Sequence, residues 1–131
     1  MLLSHNSSSV AVARERINAD LTAHGVEPQR IEDTSLVVSE LVGNAVRHGH
    51  PLPGGGVHIR WWIYPDHVEI AVSDGGAPSV PSEGSLSVST AGGRGLGIVA
   101  HVAEAWGVRR EGNDVTTVWA MIPSPQFAGA R

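Results

Sequence analysis

Glu40-Leu41-Val42-Gly43-Asn44-Ala45-Val46-Arg47-His48 decides the reading of this chain, because it sets a carboxylate and a carboxamide four residues apart within an apolar pattern. At helical periodicity Val37, Val38, Leu41 and Ala45 form one inward stripe, and Glu40 and Asn44 lie side by side along its border. Neither is a natural core residue. Burying an amide without partners costs about 2–7 kcal/mol, and an ionised carboxylate more, so the pair marks a place where something polar docks. A plain solvated helix edge is the alternative, since Glu is a good helix former and Asn a tolerated one. Gly43, inside the same pattern, costs about 1 kcal/mol relative to Ala and implies the close approach of a neighbouring group.

Working outward, the helix that carries this stretch runs from about Ile31 to His48 and ends at Gly49. Before it, Ser9 is placed to cap a helix from about Val10 to His24, with Ala13, Ile17 and Leu21 on one face and Gly25 as its stop. Pro28 breaks the chain between the two helices. After them, Pro51, Pro53 and Gly54-Gly55-Gly56 make a loop, and Val57, Ile59, Trp61 and Ile63 alternate as a strand. Val68, Ile70 and Val72 do the same beyond a Pro65-Asp66 turn. From Asp74 to Gly95 periodicity is lost among Gly, Ser and Pro, which in a compact domain marks a functional lid or a disordered segment. Leu96, Val99, Ala100 and Ala103 then space a third helix, stopped by Gly107. Strands over roughly Trp106 to Glu111 and Thr116 to Ile122 flank a Gly112-Asn113-Asp114 turn.

This order, helix, helix, strand, strand, lid, helix, strand, strand, predicts an α+β fold. It is a two-layer sandwich whose mixed, mainly antiparallel sheet is covered on one face by about three helices. With 131 residues the chain is expected to be a single domain over 1–123, followed by a flexible tail over 124–131. Charged residues at 17% and hydrophobic ones at 41% fit a soluble globular protein. The formal charge of −4 and the scatter of the nine Lys and Arg argue against a nucleic-acid surface. Cysteine is absent, which excludes disulfides and thiolate metal sites. The start Met1-Leu2-Leu3-Ser4-His5-Asn6 turns polar too soon for a signal peptide, and no apolar run is long enough to span a bilayer. A cytoplasmic location is expected.

Two further stretches carry chemistry. In Val72-Ser73-Asp74-Gly75-Gly76-Ala77-Pro78 a carboxylate stands just past a strand and the backbone turns beyond it. An ionised Asp accepts hydrogen bonds only, so a buried one reads an exocyclic amine such as that of adenine; a simple Asp-Gly turn is the alternative. Gly92-Gly93-Arg94-Gly95-Leu96-Gly97 runs into the third helix, where glycine N–H groups approach phosphate oxygens, the helix terminus favours negative charge and Arg94 adds a contact. It is neither a Walker loop nor a dinucleotide fingerprint, and a flexible hinge would look similar.

The order of these stretches along the chain resembles that of the GHKL or Bergerat-fold ATPases, whose N, G1 and G2 boxes come in this succession. Glu-Leu-Val-Gly-Asn-Ala-Val-Arg-His, Gly-Arg-Gly-Leu-Gly and Thr-Val-Trp-Ala look most like the anti-sigma factor serine kinase branch. The resemblance implies ATP and Mg²⁺ as cofactors, Asn44 as Mg²⁺ ligand and Glu40 as general base. It implies that Asp74 binds the adenine amino group and Gly76 gives the base room. Arg94, Gly95 and Gly97 would line the phosphates, and Thr117 would support the adenine end from the sheet. The implied activity is phosphorylation of a serine on an antagonist protein, with sequestration of a sigma factor, by a homodimer whose first helix lies near the partner surface. In the family a further glycine commonly stands where this chain has Pro78, which would stiffen the start of the lid.

A rival of another class is a non-catalytic protein-binding module whose shape is gated by nucleotide. The catalytic half of a histidine kinase is a third reading, disfavoured because no helical segment with a phosphoacceptor His precedes the domain. His48, His50 and His58 are read as solvated rather than as a metal site. The tryptophans Trp61, Trp62, Trp106 and Trp119 are read as core and edge packing rather than as base-stacking platforms.

Overall fold

The computed structural model describes residues 1–76, 91–112 and 114–124, with backbone alone over 91–96. Its elements are β1 (Leu2–Leu3), α1 (Ser8–Ala23), α2 (Pro28–His48), β2 (Val57–Ile63), β3 (His67–Asp74), α3 (Ala91–Val102), β4 (Ala105–Glu111) and β5 (Val115–Pro123). The strands form one sheet in the order β1-β2-β3-β5-β4, and every described pairing is antiparallel. The expected α+β two-layer sandwich is therefore present, with an antiparallel rather than a mixed sheet. No helix among the described residues is long and apolar enough to cross a membrane.

The core lies between the sheet and the helices. Ile17 and Leu21 from α1, and Val37, Val38, Leu41 and Val42 from α2, pack against Ile59, Ile70, Val72 and Ile122. Each such side chain contributes about 1.5–3 kcal/mol by leaving water. The stripe expected for α2 is the buried one, including Ala45.

Several boundaries differ from the sequence expectation, each for a local reason. α1 starts at Ser8, and Ser9 is not its cap: Ser9 is buried, its hydroxyl donating to Ser4 O at 2.6 Å, while Asn6 Oδ1 accepts from Ser8 N–H at 3.0 Å. α1 stops at Gly25 as expected, whose φ of +73° lets Val26 N–H return to Leu21 O at 3.1 Å. Pro28 opens α2 rather than breaking the chain, because its fixed φ and missing N–H suit the first helical turn. The expected polar leader contains β1: Leu3 pairs with Val57 and turns inward, and Leu2 pairs with His58 and turns out.

α3 ends at Val102, and Gly107 lies inside β4 instead of stopping the helix. A Cβ on Gly107 would stand 2.8 Å from Cζ2 of Trp119, its partner across the β4–β5 pair, so packing explains that glycine. The expected lid falls largely on residues 77–90, which lie outside the described residues, as do Asn113 of the last turn and 125–131 of the tail. Ser124 itself is buried, with its N–H donating to Asp66 O and its hydroxyl to Glu27 Oε2, both at 3.1 Å.

Candidate functional site

Glu40 and Asn44 stand one helical turn apart on α2, both half-buried beside its apolar stripe. Both polar atoms of the Asn44 side chain are shielded from solvent and have no hydrogen-bond partner among the described residues. An orphaned amide of this kind costs about 1–3 kcal/mol unless a ligand satisfies it. Gly43 between them also finds its explanation: the three heavy atoms nearest a Cβ there all belong to the Arg47 guanidinium, the first at 2.9 Å.

Asp74 closes β3 and is carried to the end of α2 by packing the sequence reading did not foresee. Its carboxylate occupies the space a Cβ on Gly49 would need, and Gly75 in turn lies against the carbonyl of Pro51. Two backbone bonds stitch the segments together: Gly75 N–H donates to His50 O at 2.7 Å, and His50 N–H donates to Gly76 O at 2.8 Å. His5 adds a third tie, its Nε2 lying 3.1 Å from Ala45 O and 2.9 Å from Gly49 O. Carbonyls only accept, so Nε2 carries the proton. Burial pushes the Asp74 carboxyl above the ordinary carboxylate range, against the opposing pull of the Gly76 N–H at 2.7 Å and of His5 and His50. A matched donor would restore the ionised form at little cost.

Register separates the two threonines of β5. Thr116 is the cross-strand partner of Asp74, and its hydroxyl lies 3.4 Å from where a Cβ on Gly76 would stand. Thr117 pairs with Ser73 on the opposite face, where its hydroxyl lies 2.6 Å from Ser73 Oγ and donates to Glu111 Oε2 at 3.3 Å. The structure thus brings Thr116, not the expected Thr117, to the side of the sheet that holds Asp74. Gly76 takes a φ of +92°, open to glycine and strained for other residues.

The glycine run also differs from expectation. Gly92, Gly93, Arg94, Gly95 and Gly97 lie within α3 rather than before it. Val99 of α3 is buried in the core, and this packing outweighs a cost of about 1 kcal/mol for each helical glycine. The first N–H groups of any helix lack intrahelical acceptors, so the start of α3 keeps donors for an anion. The side chain of Arg94 lies outside the described residues. Around Gly97 there is open space where a Cβ would project.

Comparison with known families gives a match over residues 3–121 to the histidine kinase-like ATPase domain. This chain belongs to the histidine kinase-like ATPase family. Among curated proteins it is similar to the serine-protein kinase RsbW of Oceanobacillus iheyensis, 37% identical over 68 residues. That match covers 51% of this chain and 43% of the kinase. Membership in the family implies ATP as the nucleotide, and the RsbW similarity supports the serine kinase branch within the superfamily.

Magnesium is the ion that the family resemblance implies, and the residues present fit it. Mg²⁺ takes hard oxygen ligands and keeps most of its shell from water and phosphates, so one amide oxygen suffices as a protein anchor. Asn44 Oδ1 is such an oxygen, buried and without a described partner. The carboxylate of Glu40 one turn away adds negative charge beside it.

Proposed function

We propose that this protein is an ATP- and Mg²⁺-dependent serine/threonine protein kinase of a regulatory kind. It phosphorylates an antagonist protein and sequesters a sigma factor, acting in the cytoplasm as a homodimer. One observation carries the reading: the Asn44 amide, without a partner among the described residues, stands one turn from Glu40, on the helix whose end packs against the half-buried carboxylate of Asp74. Similarity to a serine-protein kinase supports serine as the acceptor.

In this reading Asp74 accepts from the adenine amino group, Gly76 leaves room for the base, and Thr116 takes the supporting place first expected of Thr117. Asn44 holds Mg²⁺, which when bound neutralises charge on the phosphates. Backbone N–H groups in the first turn of α3, up to Arg94, receive the phosphate oxygens, while Gly95 and Gly97 leave room beside them. The serine hydroxyl oxygen attacks the terminal phosphorus, and the bond to the oxygen bridging it to ADP breaks. Glu40 orients the hydroxyl and accepts its proton late, as a loose transition state requires.

Titration calorimetry with ATP and Mg²⁺, paired with a radiolabel transfer assay on a candidate antagonist, tests the assignment. Glu40→Ala is expected to keep nucleotide affinity and lose transfer, whereas Asp74→Ala and Asn44→Ala lose binding. Unchanged affinity in the Asp74 variant refutes the adenine assignment. Binding without transfer in the unaltered protein makes it a nucleotide-gated binding module instead.

A further inference from the structure

The C-terminal end of α1, the start of α2 and the end of β2 enclose a cleft of about 560 Å³, a size that suits a small organic ligand. Gly25 turns the chain out of α1 at a φ of +73°; Val26 and Glu27 then form one wall, and Trp61 and Ile63 of β2 another. Asp74 packs at the far end of α2, whose 21 residues span about 30 Å, so the cleft is separate from the nucleotide site.

Its charges select the ligand. Arg30 is 5% exposed and its Nε stands 2.7 Å from Glu27 Oε1, so the guanidinium in the wall is already matched by a carboxylate. Asp20 is left over, its side chain 39% exposed. Trp61 Nε1–H donates to Asp20 Oδ2 at 2.7 Å and fixes the direction of the carboxylate. His24 Nδ1 lies 2.8 Å from Asp20 O and 3.3 Å from Oδ1. An ionised carboxylate has about four acceptor positions, so Asp20 keeps room for a further N–H donor. With His24 neutral, Asp20 and Glu27 against Arg30 leave one net negative charge, which favours a cation over an anion. Tyr64, braced by stacking on His67 at 4.6 Å, adds a second aromatic ring to that of Trp61, and aromatic rings attract a weakly hydrated cation such as a guanidinium.

We propose that this cleft binds an organic cation: a guanidinium or ammonium seated on Asp20, with its apolar stem against Val26, Trp61 and Ile63. A bare inorganic cation gains nothing from those walls. The site stands apart from the kinase reading and does not rest on it.

Nuclear magnetic resonance titration of the full chain with butylguanidinium, read at the Trp61 indole N–H, tests it. A saturable shift is expected, and butylurea, of the same shape but neutral, is expected to bind about 10-fold or more weakly. Asp20→Asn keeps an acceptor for the Trp61 N–H and is expected to weaken butylguanidinium about 10-fold. Glu15→Gln removes the same charge from an exposed position on α1 and is expected to change nothing. No saturable shift, equal affinity for butylurea, or undiminished affinity in the Asp20 variant overturns the proposal. A capped peptide with one arginine between alanines separates the sources of the cation. Tighter binding than butylguanidinium places it on a protein partner, and weaker binding on a free small molecule.

Discussion

At the scale of single residues, Asp74 holds a carboxylate where burial disfavours its charge. Between the ordinary carboxylate pKa and the raised one, the folded chain keeps a proton that the unfolded chain has released. Stability from this group is therefore full below the ordinary pKa and falls as pH rises through the folded value. Asp74→Asn removes the titration, and the amide oxygen can still accept from Gly76 N–H. Without nucleotide, the variant is expected to unfold at a higher temperature than the unaltered protein at neutral pH, with the gap closing below about pH 4. ATP affinity should fall in the same variant, since an amide offers fewer acceptors. Thermal scans across pH decide the matter, and an Asn variant less stable at neutral pH would rule out burial as the dominant influence. The aspartate was legible from its place after a strand, but the glycines that admit it were not. Gly49 read as a helix stop and Gly75 as a turn residue, because sequence does not say which backbone passes beside them. Thr116 was recoverable: it shares parity with Val118, Ala120 and Ile122, the apolar side of β5.

Among elements, periodicity carried most of the fold and failed where glycine interrupts it. α2 and strands β2, β3 and β5 follow their apolar spacing, while α3 continues through glycines that propensity would place in a loop. β1 escaped notice because two residues show no alternation, and only pairing with β2 makes them a strand. Two glycines inside elements now carry opposite expectations. Gly107→Ala drives a methyl into the rigid indole of Trp119 and is expected to cost about 1–3 kcal/mol. Gly43→Ala meets only the flexible end of Arg47 and gains helix propensity, so it is expected to stabilise by up to about 1 kcal/mol. Urea unfolding of the two variants measures both signs. Equal losses would mean that the space beside Gly43 is as tightly held as that beside Gly107.

Across the whole molecule, the first residues tie the far edge of the sheet to the candidate nucleotide site. β1 extends the sheet beside β2, Asn6 supports the start of α1, and His5 between them donates to Ala45 O and Gly49 O at the end of α2. Those carbonyls belong to the turn that packs on Asp74, so the segment holds the floor of the site from below. His5→Ala leaves the carbonyls to water and is expected to cost about 1 kcal/mol of stability. Its larger effect should be local: hydrogen exchange at Gly49, His50 and Gly75 speeds up, and ATP affinity falls several-fold as the Asp74 carboxylate loses its fixed position. His24→Ala, at an exposed histidine on the C-terminal end of α1, serves as the control and should change neither reading. If His5→Ala binds ATP as tightly as the unaltered chain while its exchange rates rise, the N-terminal segment stabilises the fold without positioning the site.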